Sequence, residues 1–278
     1  MTQFDAPGAT GALPGDPSRV APTMRSMLNK VPEVTAYFWI IKILATTVGE
    51  TVADYLNVTL GLGLNGTSVI MSLLLAGALA LQLRSRHYVP SLYWTVVVLI
   101  SVVGTLLTDN LVDNLGLSLW PITVFFAVAL AASFGLWYRS ERTLSMHSIV
   151  TTRRETYYWI TILLTFALGT AAGDLVAEKL GFGYGVSVLI FAAAIALIAV
   201  VGRTVLGLVA AFWAAYVLTR PLGASFGDLL SQDRSAGGLG LGTTVTSLIF
   251  LTAIALVVTY LSRSRKDVTE VRQGTLLS

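Results

Sequence analysis

Glu50 and Asp54 stand four residues apart in the stretch Thr46–Asn57, inside an apolar run. At that spacing they share one face of a helix. A charged acid in hydrocarbon is costly and needs a cation, a proton, a hydrogen-bonding partner or water. The stretch recurs in altered form three more times, and the acids of the chain concentrate in it. Of the 15 Asp and Glu, eight are Glu50, Asp54, Asp109, Asp113, Asp174, Glu178, Asp228 and Asp233. Thr46, Thr47, Thr51, Thr105, Thr108, Asn110, Asn114, Thr170 and Ser225 add hydroxyl and amide oxygens nearby. Several carboxylates cannot all stay ionised side by side without cations or protons. A set of oxygen ligands suits Mg²⁺, Ca²⁺ or Mn²⁺. The expected ion site is therefore Glu50, Asp54, Asp109, Asp174 and Asp228, with Asp113 and Glu178 at its outer exit or as proton carriers.

A blander reading stands beside this one. Asp54 lies about 30 Å into a straight helix at 1.5 Å per residue, near the far end of its span. The acids would then be solvated helix ends or helix–helix hydrogen-bonding partners, with Lys179 and Arg234 pairing with the outermost. Two basic residues also fall within apolar runs. Lys42 either snorkels to the nearer interface or is a counter-charge in the pathway. Arg220 is placed to pair with an acid and neutralise part of the cluster. Pro221, which follows it, is expected to kink the helix.

The acids must be positioned by spans, and composition demands spans. Hydrophobic residues make up 55% of the 278 and charged residues 12%, about half the share in a soluble domain, and the mean hydropathy is +0.75. The chain reads as an all-α integral membrane protein. Cysteine is absent, which excludes disulfides and thiolate metal sites. His87 and His147 lie in basic loops, so an imidazole site is not expected. There is no basic block for nucleic acid, no nucleophile–His pairing and no Lys-Ser/Thr after a glycine-rich loop as a P-loop requires. The chain reads as no enzyme, with no permanently bound cofactor; its partners are the lipid bilayer and a transported metal ion.

Eight apolar runs fall in pairs: about 34–57 and 67–83, 91–115 and 120–138, 157–180 and 185–201, 204–230 and 243–261. Each is long enough, or nearly so, to cross a bilayer. Lys and Arg gather after each pair, as in Arg84-Ser85-Arg86-His87 and Arg263-Ser264-Arg265-Lys266. By the positive-inside rule both termini are cytoplasmic. Trp39, Trp94, Trp159 and Trp213, at the cytoplasmic entries of the odd-numbered spans, are expected as interfacial anchors. Residues 1–29 and 267–278 read as cytoplasmic tails, the first disordered, around a transmembrane domain at 30–266.

The pairs are copies of one hairpin. Trp39, Gly49 and Asp54 have the spacing W-x9-G-x4-D. So do Trp94, Gly104 and Asp109; Trp159, Gly169 and Asp174; and Trp213, Gly223 and Asp228. A second landmark follows at a fixed distance in three copies, beginning at Gly61, Gly116 and Gly181. In the fourth it begins three residues late, at Gly238. The repeats span about 34–87, 88–153, 154–203 and 204–266. A hairpin has an even number of spans, so successive copies point the same way and are related by an axis along the membrane normal. The simplest packing is pseudo-fourfold, with the four odd-numbered helices at the axis, the even-numbered ones outside, and the four shared Asp at one depth. The glycines would let the helix backbones approach closely.

The run KVPEVTAYFWIIKILATTVGETVADYLN, with its string Thr46-Thr47-Val48-Gly49-Glu50 and Asp54, resembles the opening of a bacterial family labelled "uncharacterised membrane-anchored protein". The resemblance extends over about 30–265. It implies a bacterial inner-membrane protein and a link to manganese export. Manganese exporters of other families place acids beside glycine in repeated helices, some as E-x-G-D; this chain has G-E-x3-D and G-D-x3-E, so no residue carries over from them. The expected function is a secondary transporter of a divalent cation, with Mn²⁺ export favoured and proton exchange as its coupling. The alternatives are a cation or proton channel, a small-molecule transporter, and a membrane scaffold or sensor with structural acids.

Overall fold

The computed structural model describes residues 29–267. The tails expected at 1–29 and 267–278 lie outside the described residues, except for Asn29 and Asp267. Eight long helices account for most of what is described: α1 (Ala36–Asp54), α2 (Gly63–Arg84), α3 (Pro90–Asp109), α4 (Leu119–Glu141), α5 (Thr152–Asp174), α6 (Gly183–Val205), α7 (Leu208–Ser231) and α8 (Thr243–Ser264). Local chemistry sets several boundaries. The Thr35 side chain caps α1, Pro90 opens α3, and the Thr151 side chain caps α5.

Seven of the eight are long and apolar enough to cross a membrane, which is compatible with a multi-pass membrane protein. The exception is α7. It was expected as a span from 204, but α6 runs to Val205 and Gly207 breaks the chain at φ 76°. What remains of α7 carries Arg220, Pro221 and Asp228 among small and hydroxyl residues, which lowers its hydropathy below that of the others. The helix is continuous through Pro221.

The packing places the odd-numbered helices inside. Helix α1 packs against α3, α3 against α5, α5 against α7, and α7 against α1, so the four close a ring. Each even-numbered helix packs against the odd helix of the following repeat: α2 on α3, α4 on α5, α6 on α7, and α8 back on α1. Over their most apolar stretches, 56–61% of residues in α1, α3 and α5 are buried, against 17–22% in α2, α4, α6 and α8. The outer helices turn Leu73, Val124, Phe125, Leu189, Leu248 and Leu256 outward, while Thr46, Ser101, Thr105, Thr170 and Arg220 are buried within the ring. This is the distribution that suits an apolar surrounding.

The shared glycines are the crossing points of the ring. A Cβ on Gly49 would clash with Ser101, one on Gly104 with Phe166, one on Gly169 with Arg220, and one on Gly223 with Thr46. In each case the obstacle is the residue three positions before the next repeat's own shared glycine, and the fourth repeat returns to the first. Close backbone approach is what small residues provide between membrane helices, where packing rather than hydrophobicity drives association.

At the end of the bundle that carries the basic loops, the ring is filled with aromatic side chains. Phe38 of α1 meets Trp94 of α3 and Tyr216 of α7, with ring centroids 5.7 and 6.3 Å apart. Tyr93 of α3 meets Trp159 of α5 at 5.4 Å, and Tyr158 of α5 meets Trp213 of α7 at 6.2 Å. Trp94, Trp159 and Trp213 are buried in this layer, so they are core residues rather than the interfacial anchors expected. The layer lies under a polar clamp. Lys30 Nζ donates to Glu155 Oε2 at 2.7 Å and to the Leu83 carbonyl at 3.2 Å, and Gln82 Nε2 donates to Glu155 Oε1 at 3.0 Å. The Glu33 amide donates to the Asp267 carbonyl at 3.0 Å, joining the approach to α1 to the exit of α8. Burial, and then a 2.6 Å hydrogen bond to Asp267, pushes the Tyr88 phenol above its ordinary range, so it stays protonated and donates.

Two stability predictions follow from this packing. Gly104→Ala forces Phe166 and the backbone of α5 to move and is expected to cost about 1–3 kcal/mol, whereas Gly77→Ala meets nothing within 4 Å and should be neutral or slightly stabilising. Glu155→Ala leaves the buried Lys30 ammonium unpaired and is expected to cost about 3–5 kcal/mol. Thermal unfolding of the detergent-purified protein measures both; an unchanged Tm for Gly104→Ala would contradict the crossing-point assignment.

Candidate functional site

The centre of the ring is built from equivalent positions of different repeats. The residue after each shared glycine is Glu50, Thr105, Thr170 or Ala224, and the residue three before it is Thr46, Ser101, Phe166 or Arg220. Arg220 is fully buried and crosses from α7 to the three other inner helices. Its two terminal nitrogens divide the contacts. One donates to the Thr46 carbonyl of α1 at 2.8 Å. The other donates to Glu50 Oε2 of α1 at 3.0 Å, to Thr170 Oγ1 of α5 at 2.7 Å and to Thr105 Oγ1 of α3. Thr105 Oγ1 also lies 3.3 Å from Glu50 Oε2 as a donor. Glu50 and Arg220 form an ion pair with 9% and 0% of their side chains exposed. Glu50, expected to bind an ion, therefore already holds a cation supplied by the fourth repeat, as the position of Arg220 suggested.

Lys42 lies nearer the aromatic layer. Its Nζ sits 3.9 Å from the Phe166 ring centroid and 4.3 Å from that of Tyr216, and donates to no hydrogen-bonding partner among the described residues. It does not snorkel. The aliphatic stem has no route outward because the residue is inside the ring, and the aromatic faces supply the stabilisation that an ammonium can draw from a ring quadrupole.

On the other side of the Arg220–Glu50 pair, about one helical turn away, come the shared acids. Asp54, Asp109 and Asp174 are partly buried and Asp228 is buried. They lie within electrostatic reach of one another and of Glu50. Asp54 feels the charge of Glu50, Asp109 that of Glu50 and Asp54, Asp174 that of Glu50 and Asp109, and Asp228 that of Glu50, Asp174 and Asp54. Gln232 Nε2 donates to Asp54 Oδ2 at 3.3 Å. None of the four takes part in an ion pair among the described residues. Asp113 and Glu178 are exposed at the rim. Glu178 accepts from the Tyr184 hydroxyl at 3.2 Å, and Lys179 and Arg234 pair with neither rim acid. Among the described residues, no three acids or histidines are drawn together as a ready metal cage. The structure thus gathers the seven expected residues at one end of the ring without closing them on a single point.

A backbone feature marks the same level. Directly after Asp54, Asp109 and Asp174, helix hydrogen bonding widens to π turns at Tyr55–Thr59, Asn110–Asn114 and Leu175–Lys179. Each is closed by an i to i−5 bond, such as the Leu115 amide to the Asn110 carbonyl at 3.1 Å. Glycine then turns the chain back with φ of 68°, 66° and 73° at Gly61, Gly116 and Gly181, a conformation that favours glycine. In the fourth repeat α7 stays α-helical past Asp228, and the three extra residues accommodate a short 3₁₀ turn at Arg234–Ala236. Such π turns followed by a left-handed glycine are a common way to close a helix C-terminus.

Sequence reasoning missed two things here. The Lys30–Glu155–Gln82 clamp was hidden because Lys30 and Glu155 sit in segments that read as basic loops. The common hydrogen-bonding focus of Glu50, Thr105 and Thr170 was visible as one shared repeat position, directly after the glycine. Only the length of Arg220 and the packing order of the helices make that position converge.

No curated protein and no solved structure matches the chain. A family model described as "Repeat of Unknown Function" (DUF347) matches four segments, 37–88, 92–143, 157–203 and 211–267. Each begins two residues before a shared Trp. The matched segments cover most of the chain, and the protein belongs to this family of internally repeated, uncharacterised proteins.

Proposed function

We propose that this protein is a secondary transporter of a divalent cation, with Mn²⁺ export across the bacterial inner membrane as the favoured case. In this reading the four repeats stand around a pseudo-fourfold axis along the membrane normal. The basic end and both termini are cytoplasmic, and the acids line an outward vestibule.

One observation carries the reading. Five carboxylates, Glu50, Asp54, Asp109, Asp174 and Asp228, share each other's field at one end of the ring, and Arg220 is the cation paired among them. Intramembrane acids without counter-charge draw in cations or protons. A small hard ion such as Mg²⁺ keeps several waters when protein oxygens hold it, and an ion that must leave cannot be held too tightly. The aromatic layer across the four inner helices supports a carrier over an open channel, because it fills the axis at the cytoplasmic end. Asp113 and Glu178, exposed at the rim, are suited to meet the ion at its exit or to exchange protons for it.

Proteoliposomes carrying a metal-sensitive dye test this with Mn²⁺, Mg²⁺, Ca²⁺ and Zn²⁺. Saturable Mn²⁺ flux is expected for the wild type. Glu50→Gln and Asp54→Asn are each expected to lower it roughly tenfold or more, the scale found even for residues one shell away from a metal. A pH gradient should alter the rate if protons are exchanged. A wild type that moves none of the four ions would end the transporter reading. Flux indifferent to both substitutions would move the site elsewhere.

A further inference from the structure

Arg220 is out of place in its own repeat pattern. The other three copies have Thr46, Ser101 and Phe166 at its position, and none of them is charged. Its stem lies against Gly169, and its head reaches α1, α3 and α5 at once. Two features distinguish this from a saturated structural strut. Nε is buried and has no hydrogen-bonding partner, although a guanidinium carries five N–H donors to fill. The Arg220 and Thr105 donors both converge on Glu50 Oε2, and no hydrogen bond engages Oε1 among the described residues. The guanidinium is thus an incompletely satisfied cation resting on the deepest acid of the vestibule.

We propose that Arg220 is a tethered competitor of the transported cation. The guanidinium occupies Glu50 when no ion is bound, and an ion reaches Glu50 only as the guanidinium releases it. This rests on the transporter reading and adds an exchange to it. Glu50 passes between two cations, one fixed to α7 and one mobile, and never stands ionised without either. Thr105 and Thr170 hold the head in its resting place through neutral oxygens. The same two contacts tie release of Arg220 to movement of α7 relative to α3 and α5, so ion entry and helix rearrangement become one event.

A competitor lowers apparent affinity by the fraction of time the site is free, and its removal has a sign that a structural strut would not give. Mn²⁺ is titrated, by intrinsic tryptophan fluorescence, into the full-length protein in detergent for wild type, Arg220→Gln, Thr170→Val, Glu50→Gln and the Arg220→Gln/Glu50→Gln double variant. Arg220→Gln is expected to tighten Mn²⁺ binding roughly tenfold or more while slowing flux in proteoliposomes. Thr170→Val keeps the charge and loosens one anchor, and should tighten binding by about threefold. The gain should vanish in the double variant. Unchanged or weaker binding in both Arg220→Gln and Thr170→Val, with wild-type binding intact, overturns the competitor and leaves the transporter reading standing. Thr170→Val alone decides the matter if Arg220→Gln fails to yield monodisperse protein. A wild type that neither binds nor moves Mn²⁺, Mg²⁺, Ca²⁺ or Zn²⁺ overturns both.

Discussion

A guanidinium buried at the centre of four helices constrains everything around it. A charge there must be paired and hydrogen-bonded, and breaking such a pair costs several kcal/mol. Arg220 meets the requirement by drawing one contact or more from each of the other three repeats. Those contacts exist only if the four inner helices lie close enough for one side chain to span them. The glycines at the crossings allow that distance. The ion pair, the glycine crossings and the ring are therefore a single device: lengthen the separation and the head of Arg220 can no longer reach all three neighbouring helices.

The layers stacked along the ring divide its chemistry. The aromatic layer and the Lys30–Glu155 clamp give one end a dense, closed interior. Beyond them come a lysine with only ring faces for company, then the arginine with its carboxylate, then acids that increase in exposure toward the rim. Basic side chains thus stand on the closed side of Glu50 and further acids on the open side.

Much of this was legible because the repeats keep register. Trp39, Gly49 and Asp54 and their three sets of equivalents marked out the repeated hairpin. The packing of the odd-numbered helices inside and the even-numbered ones outside followed from the same count. Other features depend on information that spacing does not hold. Whether a tryptophan near a span's start faces lipid or the ring depends on rotation about the helix axis, and Trp94, Trp159 and Trp213 face inward. Lys42 was read by its distance from an interface, whereas its burial follows from the face of α1 it occupies. The π turns leave no composition signal; they appear only when the five-residue hydrogen bonds are counted. The weak hydropathy of α7 was in plain view, but its cause, a helix committed to supplying the cation for all the others, needed the contacts.

The handing of each outer helix to the following repeat gives the assembly a property of a closed chain. No hairpin packs chiefly on itself; α2 serves α3, α4 serves α5, α6 serves α7, and α8 returns to α1. The backbone bond between Glu33 and Asp267 brings the approach to α1 and the exit of α8 side by side. In architectural terms the first and last helices of the chain are neighbours like any other pair in the ring. Covalent order then matters for one reason. It sets the arginine of the fourth repeat beside the glutamate of the first, so the centre of the ring carries one of each.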